Sequence, residues 1–177
     1  MLKTHKITAL KSNPRAGYDK RIAVALTWVI AAAMLIMPAC QRKPVMSHAS
    51  FINIPMRGWQ QAMPLTFTPE YDDSTRSYRL TLAVRHDNSY PYRNLSLVVD
   101  AIAADSTVNR QTVDITLADE YGNWTGGGFG SLYQKAVTVA RDVHPVDARS
   151  VVVWQAMEGC DTLSGLVNVG IITSPDN

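Results

Sequence analysis

The chain has 177 residues, with 17 Lys+Arg against 15 Asp+Glu, 46% hydrophobic residues and two Cys. That length favours one domain, an 18% charged fraction does not mark a disordered chain, and two Cys cannot build a dense disulfide scaffold. Six basic residues but one acid precede Cys40, leaving 11 basic and 14 acidic residues from Cys40 onward; a domain of net −3 has no electrostatic footprint for nucleic acid.

The first predicted element is an export signal. Lys20-Arg21 leads into an uncharged run from Ile22 to Ala39, interrupted only by Thr27 as a polar residue, and the run stops at Met37-Pro38-Ala39-Cys40. Ala before Cys is the small residue a lipoprotein signal peptidase accepts, so residues 1–39 are expected to be removed and Cys40 to be lipidated. Each buried acyl methylene contributes about 0.8 kcal/mol, so several chains hold a protein on a membrane that it does not cross. An uncleaved spanning helix and a cleaved but unlipidated signal are the alternatives; Met37 suits the second poorly.

Residues 40–49 read as the lipidated N-terminus and a polar tether containing Pro44, and 50–177 as the folded domain. Within it, apolar residues alternate. Phe51–Ile54 and Leu65–Thr68 are short candidates. Tyr78, Leu80, Leu82 and Val84 share one face of a strand, as do Leu95, Leu97, Val99 and Ala101, and then Val113, Ile115 and Leu117. Ala136–Val139 is another short candidate. Ser150–Met157 is apolar on both faces, which predicts a well-covered strand with Trp154 in the core. Val167, Val169 and Ile171 close the series. Turn formers separate these runs at Asp72-Asp73-Ser74, Asp87-Asn88-Ser89, Tyr121-Gly122-Asn123 and Gly126-Gly127-Gly128, the last read as a connection. About eight strands without a strong amphipathic helix predict an all-β, antiparallel β-sandwich, jelly-roll or Ig-like.

Catalytic patterns are missing. His48, His86 and His144 lack zinc spacing and read as surface or loop residues; no metal and no cofactor is expected. Cys160 lies between Glu158 and Asp161, acids that oppose thiolate formation. No Gly-x-Ser-x-Gly elbow or phosphate loop occurs, and the acidic pairs lack calcium-loop spacing. The aromatics hold more interest. Trp59, Trp124, Trp154, Tyr90, Tyr92 and Tyr121 suit either a sugar-stacking platform or core filling.

In order along the chain, several phrases resemble the gliding motility lipoprotein family GldH of Bacteroidetes. They are Trp59 with Pro64-Leu65-Thr66-Phe67, Tyr78-Arg79-Leu80-Thr81-Leu82 through Val84-Arg85, and Tyr90-Pro91-Tyr92-Arg93-Asn94-Leu95. Asp119 through Gly122-Asn123-Trp124-Thr125-Gly126 follows, then Gln155-Ala156-Met157, Leu163-Ser164-Gly165-Leu166 and Val169-Gly170. One departure is Glu158 where a basic residue is expected, followed by an inserted Gly159-Cys160. The resemblance implies a non-enzymatic, membrane-anchored component associated with gliding and the type IX secretion machinery, with other envelope proteins as partners. Gln41-Arg42-Lys43-Pro44 lacks the acids that accompany surface display in that group and the Asp of inner-membrane retention. The expected location is the outer membrane, facing the periplasm.

For the matching residues, Tyr90-Pro91 is a step where a cis bond would set a tight turn, Asn94 has an amide suited to tying that turn, and Arg85 has Asp87 or Asp119 as expected partners. Tyr90, Tyr92, Asn94, Tyr121 and Trp124 are the candidate partner or glycan surface, because loops on a rigid sheet commonly carry binding.

Overall fold

The alternation seen in the sequence becomes two antiparallel sheets packed face to face. A computed structural model describes residues 46–176; the signal and Cys40 lie outside the described residues. The first sheet contains β1 (His48–Asn53), β11 (Leu166–Pro175), β4 (Tyr78–Asp87), β8 (Leu132–Val143) and β7 (Gly127–Phe129), in that spatial order. The second contains β3 (Leu65–Phe67), β9 (Ser150–Gln155), β5 (Asn94–Ile102) and β6 (Val108–Thr116). A small pair, β2 (Trp59–Gln60) with β10 (Thr162–Leu163), completes the antiparallel sandwich. The expected tether residues His48 and Ala49 already belong to β1.

Period-two strands place every second residue on one face. Leu80, Leu82 and Val84 of β4, with Val169 and Ile171 beside them, are buried together with Leu95, Leu97, Val99, Val113, Ile115, Val151 and Val153 of the other sheet. Burying each such side chain fully contributes about 1.5–3 kcal/mol. Their number accounts for a core without disulfides. One side of the sandwich is closed by Gln111 Nε2, which donates to the Val139 carbonyl at 3.0 Å; Val139 sits where the β4–β8 register slips.

Three local readings are corrected. Gly126-Gly127-Gly128 is more than a connection, because Gly127 and Gly128 open β7 and pair with Gln134 and Tyr133. Trp154 is half-buried on the outer face of its sheet, 5.4 Å from the Arg110 guanidinium, while its neighbours Val153 and Gln155 point inward. Arg85 pairs with neither acid. Its Nε donates to Gln134 Oε1 at 2.7 Å, and its guanidinium lies 4.3 Å from the Phe51 ring centroid.

Strand direction fixes the geography. Tyr78, the start of β4, pairs with Pro175, and His48 pairs with Thr173 at the same end. His86, at the other end of β4, pairs with Tyr133 and Leu166. From Leu80 to His86 the strand covers roughly 20 Å.

Candidate functional site

His86 is the centre of an aromatic cluster at the second end. It continues the inward face of Leu80, Leu82 and Val84, so the strand carries a histidine into the core, where it is fully buried. The expected surface or loop histidine is therefore corrected. Trp124 meets its imidazole edge-on at 4.5 Å between centroids and 61°, Tyr133 stacks at 5.5 Å and 19°, and Tyr90 is tilted at 5.6 Å. Tyr92 extends the cluster, 5.9 Å from Tyr90 at 72°.

Local turn chemistry holds these rings. Asp87 Oδ1 accepts from the Ser89 amide at 2.8 Å, an Asx turn that starts the β4–β5 loop. Tyr90 Oη then donates to the Asn94 carbonyl at 2.8 Å, spanning the loop in place of the expected Asn94 amide contact; Asn94 itself is exposed. The Tyr90–Pro91 bond is trans. Asp119 Oδ1 accepts from the Tyr121 and Asn123 amides at 2.9 and 2.8 Å, and Asp119 Oδ2 from Asn123 Nδ2 at 2.9 Å. This ties the loop that delivers Trp124, whose Nε1 donates to Asn88 Oδ1 at 3.1 Å.

A third segment, Met157 to Leu166, completes the rim. Met157 Sδ accepts from the Ser96 amide at 3.3 Å, Gln155 Nε2 donates to the Cys160 carbonyl at 2.7 Å, and the Asp87 amide donates to the Gly165 carbonyl at 3.0 Å. Cys160 is half-buried, and its Sγ donates to the Thr162 carbonyl at 3.3 Å.

Desolvation lowers the His86 pKa, outweighing the Asp87 carbonyl and charge, so its imidazole is neutral at pH 7. Burial pushes the Tyr90 phenol up, and hydrogen bonding with Cys160 raises Tyr92. Hydrogen bonds from Ser89, its hydroxyl first, hold Asp87 below the usual carboxylate range, and those from Asn123, its side chain first, do so for Asp119. Both carboxylates are thus taken up by the turns they cap.

The candidate surface residues separate into two groups. Tyr90, Tyr92 and Trp124 come together, with Tyr90 buried, Trp124 half-buried and Tyr92 38% exposed. Tyr121 stands apart at 82% exposure. The Tyr90 ring meets Tyr92 at 72° and Trp124 at 56°, so these three do not form a coplanar sugar platform. His86 and Tyr133 were not among the sequence candidates, although the β4 alternation, continued one step past Val84, reaches His86.

A sequence profile of the GldH lipoprotein family matches residues 47–172. The chain belongs to the GldH lipoprotein family. It is 24% identical over 148 residues to the gliding motility lipoprotein GldH of Flavobacterium johnsoniae, an alignment covering 80% of this chain and 91% of that one. Against the GldH homolog of Christiangramia forsetii it is 26% identical over 153 residues, covering 81% and 92%. Among solved structures, the Tobacco streak virus coat protein aligns over 77% of this chain and 92% of its own, at 6% identity and a TM-score of 0.33. The GldH-like phrases at Tyr90–Leu95, Asp119–Gly126 and Gln155–Leu166, distant in sequence, supply the loops of one rim. Glu158-Gly159-Cys160 falls on that rim too, with Glu158 exposed.

Proposed function

We propose that this chain is a non-enzymatic envelope lipoprotein, anchored by acyl chains on Cys40, whose aromatic rim docks onto neighbouring proteins associated with gliding motility and type IX secretion. Residues 1–39 are the signal peptide, the lipidated N-terminus and tether run from Cys40 up to β1, and the docking domain starts with β1 at His48. The anchor lies in the outer membrane and the domain faces the periplasm.

One observation carries this reading. The three family-like loop segments form a single rim, whereas β1, which the tether enters, starts at the opposite end, where Asp72 accepts from the Met46 amide at 2.8 Å and bonds His48 Nε2 at 2.7 Å. An arrangement with the tether at one end and the loops at the other suits a protein that presents its loops to a partner. Tyr92, 38% exposed, and half-buried Trp124 supply aromatic groups of the kind enriched at protein interfaces.

The test is in-cell crosslinking of the affinity-tagged full chain, beside a Tyr92→Ala/Tyr121→Ala double variant and Cys40→Ala. Docking through the rim predicts that the double variant keeps its anchor and loses specific neighbours. An unchanged set of neighbours contradicts it.

A further inference from the structure

A second surface lies on the outer face of the five-stranded sheet, at the same end as the rim but across the sheet from its aromatic cluster. Arg85 projects there from β4. Its guanidinium rests on the ring of Phe51 at 4.3 Å, and its Nε is held by Gln134 Oε1 at 2.7 Å. Phe51 in turn lies directly over Gly170, where even a Cβ would overlap the ring. The side chain is thus clamped from two sides, and much of the rotamer entropy that binding would otherwise cost is already gone. Among the described residues, no carboxylate lies within ion-pair distance of Arg85 and its terminal nitrogens have no hydrogen-bond partner.

Arg85 borders an open depression of about 550 Å³, lined also by Gly127, Phe129, Leu132, Gln134 and Ala136. Its outer wall is apolar: Phe129 is 94% exposed on β7, and Leu132 is exposed beside it. A fixed guanidinium next to exposed apolar side chains has the chemistry of a receptor for an anion carried on an apolar chain.

We propose that this depression binds an extended acidic segment of a partner protein, with Arg85 taking a carboxylate in a paired hydrogen bond and Phe129 and Leu132 covering a neighbouring apolar side chain. One guanidinium matches one carboxylate; the adjoining apolar wall suits a peptide rather than a free anion. The domain from Cys40 onward is net −3, so its overall field does not gather acidic chains, and the attraction is local to Arg85. This site uses none of the side chains of the rim cluster and faces the other side of the sheet.

Fluorescence anisotropy on the purified full chain in detergent micelles tests it, using a labelled octapeptide of the repeat Leu-Ser-Asp-Ser, whose Leu and Asp share one face when extended, against its counterpart with Asn in place of Asp. The Asp peptide is expected to bind about tenfold more tightly, and Arg85→Gln to abolish that preference. Phe129→Ser weakens both peptides several-fold, and Tyr92→Ala changes neither. Equal binding of the two peptides, or a preference that survives Arg85→Gln, overturns the proposal. Displacement by inorganic phosphate or by phosphatidylglycerol vesicles as readily as by unlabelled Asp peptide also overturns it, reassigning the site to phosphate. Should Arg85→Gln fail to fold, Phe129→Ser decides alone, since its exposed ring has no folding role; unchanged affinity there refutes the site.

Discussion

Gly165 lies against Tyr90 with no room for a side chain between them: a Cβ at 165 would overlap the amide nitrogen and Cα of Tyr90. Its φ of +78° is also one that side chains rarely adopt. This contact joins the β10–β11 turn to the loop that carries the rim aromatics, so glycine is needed for backbone shape and for close approach. Gly165→Ala is expected to cost about 2–4 kcal/mol, summing left-handed strain and overlap. Gly130→Ala, at φ +64° with nothing nearby, costs about 1 kcal/mol. Urea unfolding of both variants checks the difference; equal losses would show that the contact does not matter.

Burial of His86 makes stability depend on pH. Its folded pKa is depressed below the ordinary value of 6.5, so over the window just below that value the unfolded chain binds a proton that the native chain does not. The contribution is complete above 6.5 and is lost as the pH falls toward the folded pKa. Stability should therefore decline as the pH falls below about 6.5 toward the depressed folded pKa. His86→Phe should flatten this part of the profile relative to the native chain. Parallel profiles in urea would refute the assignment.

Asp119 should control local order at the rim without controlling the sandwich. Its two oxygens take the Tyr121 and Asn123 amides and the Asn123 side chain, and all three partners lie in the Trp124 loop. Asp119→Ala is expected to raise hydrogen exchange at Tyr121 and Asn123 while the amides of β4 and β5 keep their protection. Exchange that rises throughout would make the loop part of the global fold.

The long strands were legible because one face was apolar and the other was not: Leu80, Leu82 and Val84 alternate with Arg79, Thr81 and Arg85, and each lies where period two sends it. Trp154 was not, since apolar residues occupy both faces of β9 and alternation cannot say which faces the core. β2, β7 and β10 have two or three residues each and are fixed by the strand they meet; in β7, Gly127 and Gly128 have no side chain to mark a face. Of the candidate site, Tyr90, Tyr92 and Trp124 were visible as unusual aromatics next to turns. Their grouping around His86 was not, because it depends on three loops meeting in space. The clamp on Arg85 was hidden for a similar reason: its partners Phe51 and Gln134 come from two other strands, so the nearby acids looked like better company.

Surface chemistry at the rim can be separated from folding by exposure. Tyr121 is mostly exposed and outside the aromatic cluster, while Tyr90 is buried inside it. Tyr121→Ala should leave the urea midpoint within about 0.5 kcal/mol of native. Tyr90→Ala should lower stability by about 3–5 kcal/mol, the usual cost of deleting a buried aromatic. Comparable losses would mean that Tyr121 supports the fold and does not belong to a docking surface.

Intact-mass spectrometry of the protein extracted from its native membranes bears most directly on the anchored-docking account. The account predicts a polypeptide that begins at Cys40 and carries acyl mass, both lost in Cys40→Ala. A chain that still starts at Met1 with no added lipid would contradict it.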